Sequence, residues 1–211
     1  MLEVPQYAKL FIGLLSIVNP MGALPIFLSM TQAHTPRDRN KVGLIASFSV
    51  AVILAAAVFV GEPLLNAFGI GIPSFRVAGG ILILLMALSM LNDTANRAKK
   101  IEQEQQEAQE QDSLAIVPLS MPLLAGPGAI STVIVFAQQD TTPSHYLSMV
   151  GAIALVGVVV FIALRLAPLL ARILGPVGLR VLTRIMGLFL AAIGIEFMAN
   201  GLGVLFPGLK S

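Results

Sequence analysis

Asn19-Pro20-Met21-Gly22-Ala23-Leu24-Pro25 is the stretch on which the reading of this chain turns. It lies within residues 7–30, an apolar run otherwise long enough to cross a bilayer. Two prolines, a glycine and an asparagine in seven residues cannot continue a regular helix. Each proline lacks an amide donor and clashes with the carbonyl one turn back. Lipid offers no water to replace the lost hydrogen bonds, so such a break belongs inside protein or against a wet cavity. A second break of the same kind stands about a hundred residues on, at Leu124-Ala125-Gly126-Pro127-Gly128-Ala129.

Around these breaks the chain is overwhelmingly apolar. Of its 211 residues 56% are hydrophobic and 11% charged, and the mean hydropathy is +0.89. Soluble domains carry about 25% charged residues, so this composition predicts an integral membrane protein of all-α class. The length holds about six spans of roughly 20 residues. They are predicted at 7–30, 42–59, 74–91, 114–137, 146–174 and 181–205, with residues 64–73 turning the chain after the second. Residues 92–113 are rich in Gln and Glu, carry no apolar stripe, and read as a solvated linker helix. No cleavable signal is expected, because Glu3 sits beside only one early cation, Lys9, and the first apolar run is interrupted.

The landmarks recur. Asn19-Pro20 and Gly126-Pro127 lie 107 residues apart, Pro63-Leu64-Leu65 and Pro168-Leu169-Leu170 lie 105 apart, and Arg76-Val77-Ala78-Gly79 and Arg184-Ile185-Met186-Gly187 lie 108 apart. The unit is then three spans, repeat 1 at 7–91 and repeat 2 at 114–206, within a single membrane domain. An odd number of spans makes the second unit enter from the opposite side. The expected fold is six transmembrane helices as two inverted three-helix repeats, with helices 1 and 4 broken, an arrangement typical of secondary transporters. Ten cations (Arg37, Arg39, Lys41, Arg97, Lys99, Lys100, Arg165, Arg172, Arg180, Arg184) fall on one side, against Lys9, Arg76 and Lys210 on the other. The positive-inside rule puts the ten in the cytoplasm, with the linker, and both termini in the periplasm.

A helix broken at mid-membrane exposes amides suited to a carboxylate and carbonyls suited to a cation. The free amides are expected near Gly22, Ala23 and Leu24, and near Gly128, Ala129 and Ile130. Candidate binding residues are therefore Asn19, Pro20, Gly22, Ala23 and Pro25 at the first break. At the second they are Gly126, Pro127, Gly128, Ala129 and Ser131, with Pro122 and Pro118 as kinks leading in and Thr132 adding a hydroxyl. Gly22 and Gly128 are expected to face the space a ligand needs. The plainer reading is that prolines and glycines only kink membrane helices for packing; two multi-breaker sites at matching repeat positions weigh against it.

Arg76 and Glu196 are expected near the same membrane face, as a structural ion pair or as two snorkelling charges. Arg184 is the repeat counterpart of Arg76, with Asp93 as a candidate mate. No acidic residue lies near either break, so a neutral or zwitterionic solute suits the site better than a metal or a cation. Enzymatic readings find no support: His34 and His145 are read in loops on opposite sides, there is no HExxH and no cysteine, and no phosphate loop occurs. No cofactor and no nucleic acid partner is expected, for want of a basic stripe with interleaved aromatics.

Val18-Asn19-Pro20-Met21-Gly22-Ala23-Leu24-Pro25-Ile26-Phe27, Phe75-Arg76-Val77-Ala78-Gly79-Gly80-Ile81, Pro122-Leu123-Leu124-Ala125-Gly126-Pro127-Gly128-Ala129-Ile130 and Thr183-Arg184-Ile185-Met186-Gly187 resemble the hallmarks of the MarC family of bacterial inner-membrane proteins. The resemblance covers essentially the whole chain. It implies a six-span inner-membrane protein similar to the SnatA-type transporters of small neutral amino acids, glycine and alanine. It also implies roles for Asn19, Pro20, Gly126, Pro127 and Gly128. The leading functional expectation is a secondary transporter of such solutes, working by alternating access around the breaks; the alternatives are a non-transporting scaffold or assembly component and a passive channel. The coupling ion (H⁺ or Na⁺) and the oligomeric state are not set by these residues.

Overall fold

The computed structural model describes residues 4–92 and 124–209, all helix and connecting turns among those residues. Most of the expected linker, together with Asp93, Pro118 and Pro122, lies outside them. Among the described residues seven α-helices follow one another: α1 Val4–Val18, α2 Pro20–Met30, α3 Pro36–Ala67, α4 Ile72–Leu91, α5 Pro127–Ala137, α6 Pro143–Arg165 and α7 Ala167–Leu205, with a short 3-10 turn at Pro207–Leu209. Among the described residues five stretches are long and apolar enough to cross a membrane: Pro5–Met30, Pro36–Ala67, Ile72–Leu91, Pro143–Arg165 and Ala167–Leu205. Helix α5 is a shorter apolar helix of 11 residues. At 1.5 Å per residue it rises about 16 Å, half the hydrocarbon thickness. Helix α2, also 11 residues, is its match in length.

Helices α1 and α2 are joined by one residue. Pro20 disfavours the right-handed helical conformation at the residue before it. Asn19 takes the left-handed one instead, at φ 47° and ψ 64°, and asparagine is among the few residues that do so readily. The Asn19 amide still closes the last turn of α1 by donating to Leu15 O at 2.9 Å. Its side chain caps α2.

Two boundaries differ from the sequence reading. The second span was expected to fade at Gly61-Glu62-Pro63, yet α3 runs through them to Ala67. Gly61 is buried against Ile134 of α5, and this packing holds the helix across a proline that costs it one hydrogen bond. The chain turns at Phe68-Gly69, with Gly69 at φ 65°. The fifth span was expected to continue to residue 174, but α6 ends at Arg165. After a turn at Leu166, residues 167–174 form the first arm of α7, which kinks at Gly175 (φ 62°) before Pro176.

Packing follows small residues. Helices α4 and α7 run antiparallel along one another. A Cβ on Gly80 would stand 2.7 Å from Gly194 O, and one on Gly194 would stand 2.8 Å from Gly80 O. Further along, Gly187 faces the Ala87 carbonyl in the same way. Such close backbone approach is how membrane helices gain dispersion contacts without a hydrophobic drive. Helices α3 and α6 form a second antiparallel pair, with Phe59 stacked on Tyr146 at 5.7 Å between ring centres and Gly157 against Ala51. Helix α2 touches α6 and α7, as α5 touches α3 and α4. The interior is apolar, built on Leu14, Leu24, Phe27, Leu54, Ile83 and Val133. Large apolar side chains also cover the outside, among them Phe48, Leu85, Leu155 and Leu188. A soluble monomer does not expose such a belt; lipid covers it here.

Candidate functional site

At the first break the amides expected to be free are largely occupied. Gly22 N–H donates to Asn19 Oδ1 at 3.0 Å, and Ala23 N–H donates to Asn19 O at 3.3 Å. Asn19 is thus a helix cap, a role that side-chain oxygens fill for orphan amides. Its Nδ2 donates to Met90 Sδ at 3.3 Å, tying the break to the end of α4. Asn19 and Pro20 are buried, Gly22 and Ala23 half-buried, and Pro25 is exposed on the outer side of α2.

Helix α5 opens at the second break with Gly126 in its capping position and no side-chain cap. Ala129 N and Ile130 N donate to Gly126 O at 2.9 and 3.2 Å. For Gly128 N, buried at the second helical position, no acceptor is present among the described residues. Ser131 Oγ donates to Pro127 O and Thr132 Oγ1 to Gly128 O, both at 2.8 Å, so these hydroxyls turn back into their own helix. Pro127 is exposed, Ala129 and Ser131 buried.

The structure draws the two breaks together. A Cβ on Gly128 would meet Ile83 Cγ1 at 2.5 Å and Ile17 Cγ2 at 3.4 Å, so the start of α5 is wedged between α4 and the end of α1. The space beside Gly128, expected to be open, is filled by Ile83. That beside Gly22 is filled by Asn19 and Met90. Gly79 packs against Ser131 in the same layer.

Among the described residues, open space is found toward the end of the bundle where α4 begins. Two adjoining recesses, about 180 and 220 Å³, share Arg76, Val135 and Gln139. Lys9, Ile17 and Thr132 border the first; Gln138 and Asn200 border the second. The expected Arg76–Glu196 ion pair is not formed. Arg76 places its guanidinium over the Phe197 ring, 5.8 Å from the centroid. Glu196 is exposed, and its Oε1 accepts from Asn200 Nδ2 at 2.7 Å. Successive helical residues point about 100° apart; the position facing α4 belongs to Phe197, and Glu196 is turned outward. Arg184 is exposed on α7.

One buried group was misplaced by the sequence reading. His145 is not in a loop: it sits in the first turn of α6 with no exposed surface. Tyr7 OH lies 2.8 Å from its Nδ1 and Phe136 O 3.2 Å from its Nε2. The neutral Nε2–H tautomer satisfies both contacts and ties α1, α5 and α6 together. The sequence signal was weak: a Pro-Ser-His-Tyr opening after a polar turn, with Tyr7 at matching depth in a distant span.

A bundle of apolar helices, one of them interrupted at a single left-handed residue, defines a helical integral membrane protein with broken spans. The chain matches the MarC family integral membrane protein family over residues 4–206, and it belongs to that family. It is 45% identical over 207 residues to the UPF0056 membrane protein YhcE of Escherichia coli, covering 98% of this chain and 96% of the relative. It is 36% identical over 203 residues to a UPF0056 membrane protein of Methanocaldococcus jannaschii (95% and 98% covered). Its identity to YvbG of Bacillus subtilis is 34% over 202 residues (95% and 96% covered). No solved structure matches the chain.

Proposed function

We propose that the protein is a secondary transporter, not an enzyme, that carries small neutral amino acids of the glycine and alanine kind by alternating access about its two breaks. One observation carries this reading: Asn19, buried and left-handed, splits a continuous membrane-crossing stretch at a point wedged against the start of α5. A scaffold needs no such interruption, which sacrifices helical hydrogen bonds in a medium that cannot replace them. The site residues remain those of the breaks, Asn19 to Pro25 and Gly126 to Ser131, with the Gly128 amide, which has no acceptor among the described residues, as a carboxylate donor in the state where Ile83 withdraws.

The inverted-repeat reading belongs to the same proposal. It is supported by the left-handed glycines Gly69 and Gly175, 106 residues apart. The helix contacts support it further: shifting α2 and α4 forward by one repeat gives α5 and α7, and each keeps its equivalent neighbours. Two antiparallel pairs, α3 with α6 and α4 with α7, lie where such a two-fold relation puts them. The protein then resides in the inner membrane, with the cation-rich face in the cytoplasm. Uptake of radiolabelled alanine and glycine by proteoliposomes, with and without proton or sodium gradients, tests the proposal. Accumulation under one gradient is the expected outcome; no uptake above empty liposomes under any gradient would leave the scaffold reading in its place.

A further inference from the structure

We propose that Arg76 is a carboxylate-capture site for a small zwitterionic solute, at the mouth that leads to the breaks; the inference deepens the transport reading and rests on it for the identity of the solute. Arg76 carries a buried Nε–H with no acceptor, and forms no hydrogen bond or ion pair with any described residue. A buried, unsatisfied cationic donor is costly, and the carboxylate nearest in sequence to its ring partner is turned outward and held by Asn200. The two recesses meet at this guanidinium, and neither is lined by an acidic side chain. Lys9 adds a second cation to the first recess. The local field therefore favours an anion, and the guanidinium fork fits a carboxylate through two parallel N–H donors.

The surroundings narrow the class. Asn200 spends its Nδ2 on Glu196 O and Oε1, so its Oδ1 is left to accept from an ammonium, as are the amide oxygens of Gln138 and Gln139. The rest of the lining is apolar, with Val135 and the Phe197 ring closing round Arg76. Room of this size takes a solute of a few heavy atoms. At its deep end the first recess is bounded by Ile17, two residues before Asn19, and by Thr132, whose hydroxyl holds Gly128 O. The recess that opens at Arg76 thus ends within about one helical turn of both breaks.

The experiment uses the purified full chain in detergent. Calorimetric titration with acetate, L-alanine and L-alaninamide is done on the wild type, Arg76→Gln and Arg76→Lys, and each apo form is melted by circular dichroism. The wild type should bind acetate and alanine but not alaninamide, which lacks the carboxylate. Arg76→Gln should weaken both ligands by about tenfold or more, the scale of a lost charge-assisted pair. Arg76→Lys, a charge without the fork, should fall between, with an apo midpoint like that of the wild type. If Arg76→Gln does not fold, Arg76→Lys alone decides on the same criterion. Equal binding by wild type and variants would overturn the site. So would no binding of either ligand by the wild type, or displacement of acetate by phosphatidylglycerol but not by alanine, which would make the recess a lipid-headgroup seat. Alanine uptake by proteoliposomes separates the two proposals. Uptake that survives Arg76→Gln removes the capture site and leaves transport standing; acetate binding lost in Arg76→Gln, in a protein that moves no alanine, does the reverse.

Discussion

Asn19 does two jobs that a substitution can separate. Its backbone holds the left-handed conformation, and its side chain caps α2 through Gly22 N. Glycine adopts that conformation freely and, at a capping position, costs only a few tenths of a kcal/mol. Alanine loses the cap and strains the backbone, together about 2 kcal/mol. Asn19→Ala should therefore lower the thermal unfolding midpoint in detergent clearly, while Asn19→Gly stays near the wild type. Equal damage by both would shift the importance to the Met90 contact. The break at this residue was legible from sequence, because the restriction that a proline places on its predecessor is local; its left-handed backbone and its capping role were not. The pairing of Arg76 was not. Whether Glu196 or Phe197 faces α4 depends on the rotation of α7, and a helix apolar on nearly every side gives its sequence no phase to read.

At the scale of elements, the helices themselves were legible and their ends less so. Charge-free apolar runs fix where spans lie, but Gly61-Glu62-Pro63 reads as a stop only if the segment is isolated; against Ile134 it is a point of contact. The boundary at Leu166 was missed for the converse reason, since nothing polar marks the passage from α6 to α7. The α4–α7 pair yields a direct test. Gly194→Val sets a side chain where Gly80 O stands 2.8 Å from the would-be Cβ, and backbone cannot step aside as a side-chain tip can. Overpacking of this kind costs about 1–3 kcal/mol. Gly151, with nothing within 4 Å of its would-be Cβ, is the control, and Gly151→Val should leave the melting curve unmoved. A Gly194→Val protein as stable as that control would mean that α4 and α7 do not meet as closely as described.

For the molecule as a whole, the orientation proposal becomes a labelling experiment that this chain makes simple, because it contains no cysteine. Gln32 and Thr141 are exposed in turns at opposite ends of the bundle. The cation distribution puts Gln32 in the cytoplasm and Thr141 outside. In intact cells an impermeant maleimide should label Thr141→Cys and spare Gln32→Cys; the reverse pattern would invert the topology. What sequence could convey at this scale was the repeated order of landmarks. What it could not convey was the pair of recesses that meet at Arg76, since a cavity is what several helices together fail to fill.

The cluster of Tyr7 and Phe136 around the buried His145 has a mechanical consequence. It rivets the outer part of α1 to α5 and α6 at one end of the bundle, at 2.8 and 3.2 Å. A swing about Asn19 then has unequal arms. Helix α1 is the post, fixed at its far end by a hydrogen-bonded ring with no exposed surface. Helix α2 is the leaf, joined to that post through one residue. It packs chiefly against α6 and α7, with Met90 of α4 and Gly43 of α3 beside it; on the transport proposal, the door hung on this hinge opens at the end opposite to the rivet.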